Sequence, residues 1–283
     1  MEREKYMYEI VEREVLAENS DFYKINAPEI AKKAKAGQFV IIRINETGER
    51  IPLTIADFNA KKGTITLVAL RVGKTTRLLS TLKVGDKILD VVGPLGNPSE
   101  IDNFGRVICV GGGLGIATIV SIAKALKDAG NYVIGIIGAR TKDLLIYEDE
   151  LRKICNELHI STDDGSYGYH GFVTDVLKKL LNEDNPINII WAIGPAIMMK
   201  FVCKTTEPYK VKTIVSLNPI MVDGTGMCGA CRVEVDGKTK FTCVHGPEFD
   251  GHKVNWDLLL SRQQMYLNSE KLSLDEFEKK IGG

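Results

Sequence analysis

Three cysteines and one aspartate gather near the end of this 283-residue chain: Asp223, Cys228, Cys231 and Cys243. Four residues separate Asp223 from Cys228 and two separate Cys228 from Cys231. That is the C-x4-C-x2-C spacing of a plant-type [2Fe-2S] ligand set, completed by a more distant cysteine, with a carboxylate where the first thiolate is expected. An aspartate preserves the anionic charge of the set and offers a harder, oxygen donor. Gly224, Gly226 and Gly229 lie between the donors, where unrestricted backbone rotation lets a loop curl and aim N–H groups at sulfur. A competing reading assembles Cys228, Cys231, Cys243 and His245 into a tetrahedral zinc site. It gives Asp223 and the glycines no role.

Turn chemistry locates the fourth donor. Arg232 to Phe241 alternates about Asp236-Gly237, a pair that tolerates the positive φ of a two-residue type I′ hairpin. Counting back from that turn predicts Val235 opposite Lys238, Cys231 opposite Thr242 and Ala230 opposite Cys243. With strands about 5 Å apart, Cys243 is expected diagonally beside Cys231.

These donors need elements to hold them, and the chain divides into three stretches. Residues 1–98 read as an antiparallel β-barrel: Gln38 to Ile44 and Thr64 to Leu70 are β-branched runs punctuated by polar and glycine clusters. Residues 99–214 read as a parallel α/β sheet, with strands at Val107–Val110, Val133–Ile137 and Ile187–Ile193. Between them Ile116, Ile119, Val120, Ala123 and Leu126 recur at helical spacing. Residues 215–283 read as a small metal module with a helical tail from 257 to 281, in which Leu258, Leu259, Leu260 and Met265 are available to pack. Cys109, Cys155 and Cys203 stand singly and read as core or surface residues.

Lys plus Arg and Asp plus Glu number 37 each, so no global field favours nucleic acid or an anionic membrane. No apolar run approaches the roughly 20 residues that span a bilayer, and Met1 to Tyr6 carries no hydrophobic signal core. A cytoplasmic chain is expected.

Two glycine turns suggest a nucleotide cleft. Gly111, Gly112, Gly113 and Gly115 sit between a strand and a helix, where backbone N–H groups can approach a pyrophosphate. Gly194, Pro195 and Met198 follow a later strand, and the two turns are expected to frame one cleft. Arg140 and Asp163, each after a strand, are candidates for a phosphate and a ribose. Gly73-Lys74-Thr75-Thr76 looks like the end of a Walker A loop, but that motif requires glycine where Val68 stands.

This order of barrel, glycine turns and terminal cysteine loop resembles the ferredoxin reductase superfamily. Within it the likeness is to electron-transfer subunits of dihydroorotate dehydrogenase and to small subunits of NADH-dependent ferredoxin:NADP oxidoreductase. Asp223 and the run Gly246 to His252 favour the second group. The resemblance implies FAD, a [2Fe-2S] cluster at Asp223, Cys228, Cys231 and Cys243, and NAD(H) or NADP(H) at the Gly111 and Gly194 turns. It implies that Thr54 stands near the flavin N5, with Pro52 beside it and Leu53 against the ring. Ile51 occupies the usual arginine slot, which leaves Arg50 or Arg71 to meet the flavin pyrophosphate, together with Gly73, Thr75 and Thr76. Hydride exchange between nicotinamide and flavin, then single electrons through the cluster, is the implied activity. The implied partner is a larger flavin and iron–sulfur subunit in a heterodimer or higher assembly, reaching ferredoxin through electron bifurcation. The alternatives are delivery of electrons to a dihydroorotate dehydrogenase catalytic subunit and a non-catalytic, zinc-stabilised dinucleotide sensor.

Overall fold

Apolar residues at alternate positions of the first hundred build antiparallel strands that turn one face inward. The structure, a computed structural model, describes residues 8–281; the Met1 to Tyr6 stretch read for a signal core lies outside them. The first strands are β1 (Tyr8–Ala17), β2 (Ser20–Asn26), β3 (Phe39–Arg43), β4 (Arg50–Asn59) and β5 (Thr64–Leu70). β6 (Lys87–Ile88) and β7 (Asp90–Leu95) complete one seven-stranded sheet in the order β6-β1-β2-β5-β4-β3-β7. Two short helices, α1 (Pro28–Ala31) and α2 (Lys74–Leu79), interrupt it. Tyr23, Ile25, Val40, Ile42, Ile55 and Leu67 fill its interior.

One charge is buried there. The Asp21 side chain is fully shielded and lies 3.3 Å from Arg13 Nη2 and 2.8 Å from Arg71 Nε. Arg13 also donates to the Ser80 and Leu82 carbonyls at 2.7 and 3.0 Å, tying β1 to the exit of α2.

The second stretch alternates as its apolar runs require: β8 (Arg106–Gly112), α3 (Gly115–Asp128), β9 (Tyr132–Ala139), α4 (Glu148–Ile154), β10 (Glu157–Thr162), β11 (Tyr169–His170), α5 (Val173–Leu181), β12 (Ile189–Ile193), α6 (Ala196–Thr206) and β13 (Lys212–Ser216). The sheet order is β11-β10-β9-β8-β12-β13, with one later strand, β16 (Glu248–Asp250), on the β13 edge. The chain therefore winds outward from β8 through β9 and β10, then returns to the other side of β8. That reversal between β8 and β12 is a topological switch point, where open α/β sheets hold their ligands.

The last stretch is not separate from this sheet. After the hairpin β14 (Arg232–Val235) and β15 (Lys238–Phe241) and the turn α7 (Thr242–His245), strand β16 (Glu248–Asp250) pairs antiparallel with β13. The boundary expected after residue 214 falls inside β13. Helices α8 (Trp256–Gln263) and α9 (Leu267–Ile281) end the described chain. The expected packing of the tail is narrower than its leucines suggest: Leu259 is 1% exposed, whereas Leu258 and Met265 are 40% and 55% exposed. No helix among the described residues is long and apolar enough to cross a membrane.

Removing the carboxylate of Asp21 leaves two guanidinium groups facing an apolar interior. Asp21→Ala is expected to lower unfolding free energy by about 3 kcal/mol, read from the urea midpoint.

Candidate functional site

The hairpin turns on Asp236 and Gly237 at φ 55° and 67°, as a type I′ turn demands. Its register runs as counted from Val235↔Lys238 to Arg232↔Phe241. Beyond that the expectation needs correcting. Thr242 N–H still donates to the Cys231 carbonyl at 3.1 Å, but residues 242–245 wind into a helical turn, so Cys243 lies on α7 and not on a strand. The turn nevertheless brings Cys243 Sγ to 3.3 Å from Cys231 Sγ, and both side chains are buried. Cys228 is exposed.

Asp223 spans its own loop. Oδ1 accepts the Thr225 N–H and hydroxyl, and Oδ2 accepts the Cys228 N–H at 2.7 Å. These donors, the Thr225 amide foremost, hold the carboxyl down at about 2. The aspartate is thus a fixed anion beside Cys228. Among the described residues no three His, Cys, Asp or Glu side chains converge on one point, as a single ion requires. His245 Nδ1 is occupied by the Phe241 N–H at 2.9 Å. A two-iron cluster spreads four donors over two metals, which suits a close pair of thiols and a second pair on a glycine-rich loop.

The floor of this loop belongs to the barrel. Phe39 and Ile41 of β3 form one apolar cluster with Met221, Cys231 and Cys243, and Leu95 and Phe241 pack against it. At Gly224, φ is +77° and a Cβ would sit 2.7 Å from both Ile41 Cγ1 and Leu95 Cδ1. Phe39 pairs with Thr54 on one side and Leu95 on the other. Thr54 is therefore one strand away from the cysteine floor.

On β4, Arg50 is exposed and Pro52 and Thr54 are half-buried, while Leu53 is 8% exposed and belongs to the barrel core. Leu53 is withdrawn from the face where it was expected to meet a ring, because strand pleating sends alternate side chains to opposite faces. Arg71 is likewise committed, to Asp21. Thr75 donates to Glu49 Oε2 at 2.8 Å, and Thr76 Oγ1 bonds Gly73 as donor and acceptor at 3.1 Å. Gly73 has nothing within 4 Å of the place a Cβ would take. That empty cradle and the exposed Arg50 fit a phosphate group better than Arg71 does.

At the switch point the glycines divide into two roles. A Cβ on Gly115 would lie 2.1 Å from the Ile193 carbonyl oxygen, on Gly112 2.2 Å from Met198 sulfur, and on Gly111 2.8 Å from Ile119. These three let α3, β8 and β12 approach. Gly113 has φ +52° and open space where its Cβ would be, so here an anion can reach the backbone. Gly194 packs against the Gly112 carbonyl and Met198, and Pro195 opens α6, so the two turns touch at the carboxyl edge of the sheet. Arg140 and Asp163 follow β9 and β10 on the same carboxyl edge; Asp163 N–H donates to the Ala139 carbonyl at 3.1 Å. Partial shielding raises the Asp163 carboxyl against the pull of Arg140.

Reading the residues alone missed Glu248. Its Oε1 accepts the Ser99 hydroxyl at 2.5 Å and its Oε2 accepts the Trp191 indole N–H at 3.1 Å. Part of the side chain meets solvent, yet both oxygens point inward and burial raises the carboxyl above its ordinary value. Asn97 N–H to the Gly246 carbonyl, 2.7 Å, and Leu217 N–H to the Pro247 carbonyl, 2.9 Å, flank it. Only the run Gly246 to His252 marked this segment in advance, without assigning it a role.

Comparison with known proteins agrees with this geometry. Residues 218–255 match the iron–sulfur cluster binding domain of dihydroorotate dehydrogenase B, and residues 109–204 match an oxidoreductase NAD-binding domain. A Thermotoga maritima protein described as a homolog of the dihydroorotate dehydrogenase B (NAD(+)) electron transfer subunit is 55% identical over 274 residues, 97% of this chain and 96% of its own. The electron transfer subunit of that enzyme in Geobacillus thermodenitrificans is 32% identical, over 87% of this chain and 96% of its own. A solved chain from the NADH-dependent reduced ferredoxin-NADP oxidoreductase, studied for flavin-based electron bifurcation, is 53% identical with a TM-score of 0.91, covering 96% of this chain and 98% of that one.

Glu248→Ala strands the Ser99 hydroxyl and the Trp191 indole and is expected to cost about 1–3 kcal/mol in chemical denaturation. Burial raises the Glu248 carboxyl, so the folded chain holds its proton longer than the unfolded chain does. The stability tied to this group is complete below 4.5 and fades as pH rises through the raised value. Glu248→Gln is expected to flatten that decline while keeping both contacts.

Proposed function

The chain belongs to the family of dihydroorotate dehydrogenase B electron transfer subunits, with a ferredoxin reductase-like fold, and from this we propose that it is the small subunit of an electron-bifurcating NADH-dependent ferredoxin:NADP oxidoreductase. It is an NAD(P)H-dependent oxidoreductase subunit that carries FAD and a [2Fe-2S] cluster. In this reading it joins a larger flavin and iron–sulfur subunit in the cytoplasm and exchanges electrons with ferredoxin through that partner.

The observation that carries the reading is the strand pair β3–β4. Phe39 packs in one cluster with Cys231 and Cys243 and pairs with Thr54, so a flavin edge at Thr54 would neighbour the cysteine loop. FAD, when bound, exchanges a hydride with a nicotinamide and single electrons with an iron–sulfur centre. The chain's own residues orient and shield. Thr54 presents a hydroxyl beside the expected flavin edge; Pro52, Arg50 and the Gly73 cradle, with Thr75 and Thr76 behind it, would hold the rest of the cofactor. Gly113 would meet the nicotinamide nucleotide's phosphates, Gly111, Gly112 and Gly115 allow the close approach of strand and helix, and Gly194, Pro195 and Met198 wall the cleft. Arg140 and Asp163 are suited to its phosphate and ribose. Asp223, Cys228, Cys231 and Cys243 would hold the cluster, which would supply single-electron transfer there.

Dihydroorotate dehydrogenase remains the second reading because its cluster domain matches residues 218–255. The relatives at 55% and 53% identity stand one on each side of this choice; Asp223 at the first ligand position, where cysteine is usual in the dihydroorotate dehydrogenase subunits, is what inclines the reading to the ferredoxin system.

Protein isolated without oxygen is expected to contain two iron and two acid-labile sulfide per chain, as a [2Fe-2S] cluster demands, with a paramagnetic signal after dithionite. Asp223→Cys is expected to shift the midpoint potential; an unchanged potential means that Asp223 does not tune the cluster. Complexes reconstituted with candidate partners are expected to turn over ferredoxin plus NADP and not orotate.

A further inference from the structure

Helix α2 is six residues long, too short to keep its own shape in water; isolated helices below about 12 residues are marginal. Leu79 anchors it in the barrel core and Arg13 bonds its exit; a further contact comes from the far end of the chain. α9 packs across α2, and Arg77 Nε stands 3.5 Å from Glu278 Oε1. α9 is otherwise mostly exposed, with Ser273, Leu274 and Phe277 half-buried at the i, i+1, i+4 spacing of one helical face. An ion pair 37% and 47% exposed contributes little by itself; Leu274 and Phe277 stand one turn and one residue before Glu278, with Leu274 on its helix face.

The other end of the tail is anchored beside the cluster loop. Arg262 Nη2 on α8 donates to the Ala230 carbonyl, next to Cys231, at 3.2 Å, and Gln263 donates to the Asn218 carbonyl at 2.9 Å. The tail thus runs from the loop that carries Cys231 to the helix that follows Gly73.

We propose that α9 is a strap that positions the Gly73–Thr76 segment and so retains the flavin, with Leu274 and Phe277 as its positioning residues. This rests on the reading that Gly73 to Thr76 seats the FAD phosphates. The strap acts through α2: by bracing the exit of the helix it keeps the Gly73 cradle and the Thr75 contact to Glu49 in register with Arg50. FAD retention therefore depends on residues at the opposite end of the chain from the barrel.

The test compares full-length variants loaded with FAD, following the appearance of free flavin fluorescence after dilution. Leu274→Asp with Phe277→Asp is expected to release FAD about tenfold faster, corresponding to about 1.4 kcal/mol. Iron and acid-labile sulfide per chain, and the thermal midpoint of the flavin-free protein, are expected to stay as in the parent. Gly73→Ala is the control, since its Cβ meets no protein atom within 4 Å yet stands in the open space where the phosphate would sit. Fast release from Gly73→Ala with parental release from the α9 variant overturns the strap and leaves the phosphate seat standing. Parental release from both overturns the seat and the strap with it. A lowered thermal midpoint of the flavin-free α9 variant assigns α9 a general structural role and also overturns the strap.

Discussion

The Glu248 carboxylate takes a donor from each of two places remote in sequence, Ser99 at 149 positions and Trp191 at 57. A carboxylate with both oxygens turned inward must keep both partners, because an unpaired buried donor or acceptor costs more than the bond contributes. The three stretches are fixed to one another here: Ser99 leads out of the barrel, Trp191 lies at the centre of the parallel sheet, and Glu248 opens the strand that follows the cysteine loop. Backbone bonds from Asn97 and Leu217 to Gly246 and Pro247 repeat the connection on either side.

From this junction the placement of the chemistry follows. β16 caps the β13 edge, which sets the cysteine turn against β3, and β3 shares its hydrogen-bond ladder with β4 and Thr54. On the sheet's carboxyl edge the two glycine turns meet beside Met198. In the proposed reading, nicotinamide cleft, flavin edge and cluster loop lie around a few strands whose mutual positions depend on side chains outside all three.

Much of this was legible from local patterns. The apolar runs and glycine breaks between 106 and 206 dictate strand, turn and helix directly, and Asp236-Gly237 specifies its hairpin because few other pairs accept two positive φ angles. What escaped depended on partners far along the chain. Leu53 was placed by its slot in a motif, whereas the pleat of β4 decides which way it faces. Arg71 was a free cation until Asp21 came beside it. Strand pairing continued past Phe241 puts Cys243 on a strand, whereas the chain there winds into a turn. Glu248 and the tail contact to α2 carry no local signature: their meaning lies in residues tens to more than a hundred positions away.

Gly224, wedged on Ile41 and Leu95 in a left-handed conformation, bears on how portable the cysteine loop is. The stretch that supplies the sulfur and oxygen donors has no complete interior of its own; half of its lining is owned by the barrel. Grafted onto another carrier without Phe39, Ile41 and Leu95, it would leave two thiols facing water. The smallest exchangeable unit in this architecture therefore includes β3 and β7, so lineages that shuffle such loops must inherit or reinvent that wall.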